Sequence, residues 1–305
     1  GEASTRLAAL LTKEIHLTQL PEDSIPQAEA EGMRLITGAL SGQRVFLGFK
    51  GGYLDTDSSC GYVHCDSPWL DRNVRQALNR AIDRDELNTA FFGDKGQKMV
   101  MNHIPPTASY WNTDWDRDFE ANWGYDPDAA RALLAESGYD KDNPLKVGVE
   151  VTTHAQYGQS ADVLEIIAGY WAEIGVDAEL LTIDAAANRS NTRAFKYTDH
   201  VGFSATASFD IQGWRVYNSH VVPRGGALEL IETGALIDKL QAEMVPAKQN
   251  VLLREIGDLA FGEYMGIYLY WIPAQLVINP EFVSSYNFPG SLSAIWTHYE
   301  LLKAN

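Results

Sequence analysis

The chain has 305 residues, of which 45% are hydrophobic and 21% are charged. This composition is typical of a globular protein with one large or two modest domains, and it excludes an intrinsically disordered chain. The formal net charge of -17 argues against nucleic acid and anionic lipid as partners, because an acidic surface repels both.

The first strongly apolar segment is residues 44–50, which read RVFLGFK and end at Gly51-Gly52. Short apolar runs that are bounded by glycine are typical of buried strands. We therefore predict a strand at this position.

The only two cysteines, Cys60 and Cys65, follow in a loop-like run that reads SSCGYVHCDSPW. We expect them to form a disulfide, which suits an oxidising compartment and would contribute on the order of 2 kcal/mol. Two free thiols, or a metal site that recruits His64, are the alternatives. Zinc would need two more well-spaced ligands, and the sequence does not offer them.

Two amphipathic helices are predicted in the first half of the chain. Residues 71–87 read DRNVRQALNRAIDRDEL, with one apolar stripe that faces a core while the Arg and Asp side chains stay in water. Residues 125–139 read YDPDAARALLAESGY. In this second helix Asp126 can cap, Pro127 suits the first position, and Gly138 supplies the left-handed residue that ends a helix.

The middle of the chain predicts a strand at residues 146–151, a helix at 160–174 and a second strand at 176–183. Strands that are linked through a helix pair in parallel, so this βαβ unit predicts a mixed sheet that is covered by helices. A further strand is expected around residues 201–204. Residues 264–278 are apolar, but they are too short and too interrupted by Pro273 for a membrane helix, and we predict a strand.

The sequence contains no nucleophile elbow, phosphate-binding Gly-rich loop, His-Glu-x-x-His helix or Rossmann glycine pattern, so we expect neither an enzyme nor a cofactor. Asp114, Asp116 and Asp118 imitate the first ligands of a calcium loop. Phe119 and Tyr125, however, stand where such a loop needs Gly and Glu. We therefore predict a solvated acidic loop and no metal site.

Several segments resemble a known family. Residues 71–84 fit the pattern D-x-x-V-R-Q-A-L-x-x-A-I-D-R, residues 126–139 fit D-P-x-x-A-x-x-L-L-A-E-x-G-Y, and Ile104-Pro105-Pro106 lies between them. These motifs, in this order, resemble solute-binding protein family 5, the receptors of peptide-type ABC importers. Residues 171–177 (WAEIGVD) and 237–240 (IDKL) extend the resemblance over essentially the whole chain.

The resemblance implies an α/β fold of the periplasmic binding protein-like type (type II, cluster C). Lobe II would have a mixed sheet with flanking helices, and parts of lobe I would accompany it. Residues 1–45 would be a C-terminal piece of lobe I, beginning with a helix and a short strand at residues 6–21. Residues 46–262 would form lobe II, and residues 263–305 would form the return crossover and another piece of lobe I. Most of lobe I would lie upstream of the given sequence.

Ligands of open α/β sheets bind beyond the carboxyl ends of the strands. This rule predicts three rims: one after residues 146–151, one from 203 onward, and one at the aromatic crossover. Trp214 and Trp271 fit a ligand-stacking role and a core role about equally well. The candidate ligand-binding residues are Thr153, His154, Phe203, Ser204, Thr206, Asp210, Trp214, Tyr270 and Trp271.

The second rim departs from the family pattern. Peptide receptors of this family read G-W-x-x-D-x-x-D-P here, and the resemblance implies that the first Asp pairs with the amino terminus of a bound peptide. Thr206 stands at that position, and the Asp-Pro is absent. A buried ammonium without a carboxylate costs several kcal/mol. An oligosaccharide or other neutral solute is therefore expected ahead of a free-amine peptide, unless Asp210 takes over the role.

We thus predict an extracytoplasmic binding protein of an ABC importer, which captures a small solute between two lobes and delivers it to a membrane permease. It would be a monomer in the periplasm or outside the cell, where a lipid anchor on a missing N-terminus is one option. The alternative is a periplasmic sensory domain that uses the same fold to signal the presence of a ligand.

Overall fold

A computed structural model describes residues 2–151, 159–206, 228–287 and 298–305, and the side chains of these residues except those of 39–43, 205, 206 and 274. Among these residues no helix is long and apolar enough to cross a membrane. The helices of the described chain are α1 Ala3–Leu11, α2 Ile25–Ala30, α3 Arg72–Arg80, α4 Arg84–Phe92, α5 Thr113–Trp123, α6 Pro127–Glu136, α7 Ser160–Glu173, α8 Ala185–Arg193, α9 Ile231–Ala242 and α10 Pro246–Gly262. The strands are β1 Leu17–Thr18, β2 Arg34–Lys50, β3 Gln97–Lys98, β4 Lys146–Val151, β5 Asp177–Thr182, β6 His200–Thr206, β7 Ile267–Ile278, β8 Val283–Tyr286 and β9 Leu302–Ala304.

The main sheet of the described chain is mixed and has the order β1-β7-β2-β6-β4-β5, with β3 paired to β7. As predicted, β4 and β5 pair in parallel across α7, with Lys146 opposite Asp177 and Val151 opposite Thr182. Strand β6 is parallel to β4 and antiparallel to β2. The long strands β2 and β7 pair antiparallel along most of their length, with irregular register in the middle.

Among the described residues, buried side chains form one large hydrophobic cluster, which lies between the sheet and helices α3 to α7, α9 and α10. Two smaller clusters lie apart from it. One is built from Leu7, Leu10, Leu20, Ile25, Ala28 and Val277. The other contains Leu276, Ile278, Val283 and Tyr286. Each smaller cluster thus combines side chains from the end of β7 with a segment near one end of the chain.

The predicted caps of helix α6 are confirmed. The Asp126 carboxylate accepts a hydrogen bond from the Ala129 N–H at 2.9 Å, and Pro127 occupies the first turn. Gly138 has φ +83°, a left-handed conformation that glycine adopts without a steric penalty. Its N–H donates to the Ala135 carbonyl at 3.0 Å, which ends the helix.

The prediction of a single helix at residues 71–87 is wrong, because the chain forms two helices there. The Asp83 carboxylate accepts hydrogen bonds from the Asp85 and Glu86 N–H groups, both at 3.0 Å. This is N-capping, and it starts α4 one turn after α3 ends. The apolar stripe continues across the break, which is why the periodicity concealed it.

Two arginines of these helices are buried, although they were predicted to stay in water. Arg75 is 1% exposed, and its guanidinium donates to the carbonyls of Trp69 and Glu263 at 2.7 Å and to the Glu263 carboxylate at 3.0 Å. Arg84 is 3% exposed, and it donates to carbonyl or amide oxygens of Tyr268, Asn79 and Trp123. Burial lowers the pKa of each arginine to about 10, so both remain charged at neutral pH.

The acidic run that was predicted to be a loop is part of α5. Asn112 caps this helix, and Asp114, Asp116 and Asp118 lie on its surface. Arg117 pairs with Asp114 at 2.5 Å and with Asp118 at 2.7 Å. Helical backbone cannot wrap these carboxylates around one ion in the manner of a calcium loop.

We predict that Arg84→Met lowers the free energy of unfolding by about 3 to 5 kcal/mol, because several buried oxygens would lose their donor together. Denaturant unfolding of the variant and the parent measures the change. Arg131→Met is the matched control: this arginine is 47% exposed and pairs with Asp128 on the surface. Its replacement should change the free energy of unfolding by less than about 0.5 kcal/mol. Equal effects of the two substitutions would contradict a structural role of the buried guanidinium.

Candidate functional site

Three parallel strands end at one edge of the main sheet. Strands β4, β5 and β6 run in the same direction, so Val151, Thr182 and Thr206 all lie toward their carboxyl-terminal edge. Helix α8 begins just after β5, and the Asp184 carboxylate caps it by accepting from two N–H groups at 2.9 and 3.0 Å. Such an edge is where open α/β sheets bind ligands. We refer to it as the carboxyl edge.

The central strands have one apolar and one polar face. On β2, Val45, Leu47 and Phe49 are fully buried in the main hydrophobic cluster. Side chains alternate along a strand, so the opposite face carries the other residues of β2. Paired residues share a face, which places further polar residues beside them. The polar face carries Arg44, Phe46, Gly48 and Lys50 of β2, His200, Gly202, Ser204 and Thr206 of β6, and Gly148 and Glu150 of β4.

Glycine on this face makes room for long polar side chains. A Cβ atom on Gly202 would lie 2.7 Å from Lys50 Cε and 3.3 Å from Glu150 Oε2. A Cβ atom on Gly148 would lie 2.7 Å from the His200 ring. The Lys50 and His200 side chains therefore lie across the sheet over positions where any larger residue would collide with them.

Lys50 and Glu150 form a buried ion pair on the polar face, with side chains 10% and 1% exposed. The same carboxylate oxygen, Glu150 Oε2, accepts a hydrogen bond from Asn188 Nδ2 at 2.8 Å. Asn188 Oδ1 accepts in turn from Lys50 Nζ at 3.0 Å and from the Tyr197 hydroxyl at 3.2 Å. Burial lowers the pKa of Lys50, while the charge and the hydrogen bond of Glu150 oppose this shift.

A second buried polar group surrounds Arg44, nearer to the carboxyl-terminal end of β6. Arg44 Nη1 lies 2.5 Å from Asn102 Oδ1 and 2.6 Å from His103 Nδ1, and all three residues are at most 2% exposed. The guanidinium also lies over the Phe46 ring, 5.0 Å from its centroid. His103 adopts φ +62°, an uncommon conformation for this residue, and its backbone N–H donates to Asn102 Oδ1 at 2.9 Å. The loop of Asn102 and His103 is therefore shaped around the arginine.

The structure brings two of the predicted rims together at Arg44. In the sheet Arg44 is paired with Thr206 of β6 on one side and with Trp271 of β7 on the other. The neighbouring pair joins Phe46 and Ser204. Ser204, Thr206 and Trp271 thus share one region of the polar face, although Trp271 is only 1% exposed and, like Phe46, belongs to the main hydrophobic cluster.

Phe203 and Tyr270 lie on the opposite, apolar face, and this corrects their prediction as ligand-facing residues. Phe203 is 5% exposed and belongs to the main hydrophobic cluster. Tyr270 is fully buried, its ring lies 4.7 Å from that of Phe92, and its hydroxyl donates to the Arg84 carbonyl. Both side chains are core residues because strand alternation points them away from the polar face.

Other predicted site residues lie outside the described residues: Thr153, His154, Asp210 and Trp214. The backbone of Thr206 is described, whereas its side chain is not.

Cys60 and Cys65 form a disulfide with a Cα–Cα distance of 5.9 Å. His64, the suggested metal ligand between them, has Nε2 2.6 Å from the Phe195 carbonyl oxygen. Within the described ranges no group of three or more His, Cys, Asp or Glu side chains could hold a metal ion. The disulfide loop follows the end of β2 at Lys50, away from the carboxyl edge.

Sequence reasoning missed Arg44, Lys50, Glu150, Asn102 and His103. A signal existed in the strand that reads KVGVEV, because its alternation predicts that Gly148 and Glu150 share a face opposite Val147 and Val149. The partner of Glu150 could not be read in this way, because Lys50 lies a hundred residues earlier.

A known protein family matches the larger part of the chain. Residues 1–214 match the family described as "Bacterial extracellular solute-binding proteins, family 5 Middle", and the chain belongs to that family. This confirms the predicted resemblance. The family consists of solute-binding proteins and not of enzymes, as the sequence predicted.

Curated relatives match over part of their length. Heme-binding protein A of Haemophilus influenzae is 30% identical over 132 residues, which are 43% of this chain and 23% of that protein. The dipeptide-binding protein of Escherichia coli is 31% identical over 117 residues, or 38% of this chain and 21% of that protein. The matched stretches thus span less than a quarter of these two relatives.

Solved structures share the fold over the whole chain. NikA from Brucella suis, in complex with Fe(III)-EDTA, superposes with a TM-score of 0.76 at 17% identity and covers 100% of this chain and 60% of that one. The oligopeptide-binding protein AppA from Bacillus subtilis, in complex with a nonapeptide, gives 0.74 at 15% identity and covers 100% and 59%. The predicted α/β fold of the periplasmic binding protein type is confirmed, and the chain spans about 60% of these structures.

We predict that Gly202→Ala destabilises the chain by about 1 to 3 kcal/mol, because the new methyl group would displace Lys50 from Glu150. Thermal and denaturant unfolding measure the change. Gly169→Ala in α7 is the control, since a Cβ atom there meets nothing within 4 Å. Alanine at an exposed helical position should stabilise the chain by about 0.5 to 1 kcal/mol. A neutral or stabilising Gly202→Ala would contradict the crowding argument.

Proposed function

We propose that this chain is the ligand-closing part of an extracytoplasmic binding protein of an ABC importer. It captures a small solute at the carboxyl edge and presents the closed form to the transmembrane subunits of a permease. The observation that carries the proposal is the family membership of residues 1–214, together with a polar sheet face that leads to the carboxyl edge. The protein acts as a monomer in the periplasm or outside the cell, where a lipid anchor is one means of retaining it at the membrane.

The proposed mechanism is capture without chemistry. A solute that contacts two lobes at once stabilises the closed form by its higher affinity for that form. The relatives named above are a heme-binding protein, a dipeptide-binding protein and a protein in complex with Fe(III)-EDTA. Family membership therefore supports the role of a binding protein and does not select the solute.

Two features favour a solute without a free amino group. Thr206 stands where the family resemblance implies an amine-binding Asp. Its partner in the sheet is Arg44, whose positive charge disfavours a nearby ammonium. Glu150 lies opposite Gly202, four residues before Thr206, which is about 13 Å along the strand, and it is already paired with Lys50. An oligosaccharide or another neutral solute is the first candidate, and an oligopeptide is the second.

We also propose a division at residues 45/46 and 262/263, with strands β2 and β7 crossing between the lobe II region and the pieces of lobe I. The two small hydrophobic clusters support it, because both draw on residues outside 46–262. Hydrogen exchange should give α1 and β8 a lower free energy of opening than α3 and α7, because small clusters open first. An equal free energy of opening for all four elements would contradict the proposed division.

The solute class is tested with a matched pair of ligands, trialanine and N-acetyl-trialanine, beside an oligosaccharide series. Thermal shifts are measured on this chain and on a form that is extended to two lobes. We expect an oligosaccharide or another neutral compound to stabilise the protein, by about 2.7 kcal/mol at a hundred times its Kd. Acetylation should not weaken any binding of the peptide, since no amine contact is lost.

The variant Thr206→Asp should gain affinity for trialanine over its acetylated form, and Thr206→Asn is the uncharged control. Stronger binding of trialanine than of N-acetyl-trialanine to the parent protein would show that a carboxylate such as Asp210 fills the amine site. That result would overturn the neutral-solute proposal. A two-lobed form that responds to no compound would weaken the transport proposal itself.

A further inference from the structure

We propose that Lys50, Glu150 and Asn188 are positioning residues that hold the carboxyl edge in register with strand β2. This inference deepens the proposed function and rests on it, because the carboxyl edge is the proposed solute site. The three residues do not contact the solute in this proposal; they act through the strand and the helix that they join. We refer to them together as the edge tether.

The edge tether joins three elements through one oxygen atom. Glu150 is the penultimate residue of β4, one of the three strands that end at the carboxyl edge. Asn188 lies in the first turns of α8, which starts at the carboxyl edge after β5. Lys50 is the last residue of β2. Glu150 Oε2 accepts from both Lys50 Nζ and Asn188 Nδ2, so a shift of any one element breaks at least one of these bonds.

A second ring of contacts fixes the lysine itself. Its Nζ lies 3.0 Å from Asn188 Oδ1, 3.4 Å from Thr192 Oγ1 and 5.1 Å from the centroid of the Tyr197 ring. Gly202 lies under its side chain and leaves it just enough space. The ammonium group is therefore held from α8, from β4 and from the turn before β6.

The cost of burying the Lys50–Glu150 ion pair favours a positioning role for its charges over a stabilising one. A buried ion pair loses so much hydration that an apolar pair of similar size is often as stable or more stable. Glu150 Oε1 adds to that cost, because it is buried and has no hydrogen-bond partner among the residues that the structure describes. What the charges do provide is a directional link, since an ion pair with fixed hydrogen bonds specifies one register in a way that apolar contacts do not.

The test separates order at the carboxyl edge from global stability. In Lys50→Met/Glu150→Met both charges are replaced by apolar side chains. We expect the thermal midpoint to stay within about 3 °C of the parent, since no unpaired charge remains. Amides of 147–151 and 184–192 should nevertheless exchange hydrogen at least about tenfold faster than in the parent. If the edge tether only stabilised the fold, a double variant with the thermal midpoint of the parent would show no faster exchange at the carboxyl edge.

Arg75→Met/Glu263→Met serves as the control for loss of an ion pair elsewhere, in which Arg75 is buried and Glu263 is 37% exposed. That pair has an Nη2–Oε2 distance of 3.0 Å and links α3 to the end of α10. This double substitution should lower the thermal midpoint, because the carbonyls of Trp69 and Glu263 lose their donor, while the exchange of 147–151 and 184–192 relative to the rest of the chain stays unchanged. Equal acceleration at the carboxyl edge in both double variants would overturn the proposal.

A second variant keeps the inference testable if Lys50→Met/Glu150→Met does not fold. Asn188→Ala removes the link between α8 and Glu150 and leaves both charges in place. It should raise amide exchange in 184–192 by about fivefold or more and leave α3 and α6 unaffected. Unchanged exchange in α8 of this variant would also overturn the proposal.

The outcome is independent of the solute screen. Accelerated exchange at the carboxyl edge, combined with no binding by the two-lobed form, would refute the proposed function while the tether remains. Binding in the screen, combined with normal exchange in the tether variants, would refute the tether alone.

Discussion

The alternation of side chains along β2 determines what each face of the central sheet can do. This strand pairs with β6 on one side and with β7 on the other, so its pattern is imposed on both neighbours. One face packs in the main hydrophobic cluster, because it carries Val45, Leu47 and Phe49. The other face then has to accommodate Arg44 and Lys50, one near each end of the paired region with β6. Asn102 and His103 contact Arg44, and Glu150, Asn188 and Thr192 contact Lys50.

The described contacts of the two cations differ, and each set suits the chemistry of its group. The guanidinium of Arg44 is planar and weakly hydrated, and it uses an amide oxygen, an imidazole and an aromatic face. The ammonium of Lys50 is a compact charge that loses more on burial, and it is paired with a carboxylate. Arg75 and Arg84 also donate to main-chain carbonyls, and Arg75 pairs with the Glu263 carboxylate as well.

Local signals in the sequence were sufficient where the determining contacts are local. Asp126, Pro127 and Gly138 predicted both ends of α6, because capping involves residues within one turn. The break before Asp83 had a signal as well, since Glu86 follows three residues later, but the uninterrupted apolar stripe outweighed it. The burial of Arg84 had no local signal, because the carbonyl of Tyr268 is supplied by a strand far along the chain.

The site shows the same limit. Strand alternation in residues 146–151 and 201–204 would have separated Phe203 from Ser204, but assigning a face requires knowledge of which side the helices cover. The rule that ligands bind beyond the carboxyl ends of strands depends only on strand direction, so it could be applied to the sequence before the register of the sheet was known. The register that brings Thr206 and Trp271 to either side of Arg44 could not be read from the sequence, since it depends on two pairings of β2 with distant strands.

Arg44 gives this region a property that connects solute capture with movement. It lies in β2 where that strand is paired with both β6 and β7, and β2 and β7 are the strands proposed to cross between the lobes. The pairing of β2 with β7 is irregular on both sides of this position, with register shifts between Thr37 and Gln43 and between Val45 and Phe46. Irregular pairing allows local bending and twisting that a continuous ladder resists. In the proposed two-lobed protein, hinge bending between Thr37 and Gln43 would therefore move lobe I relative to the carboxyl edge, while the Arg44 contacts with Asn102 and His103 keep this part of β2 fixed to the lobe II region.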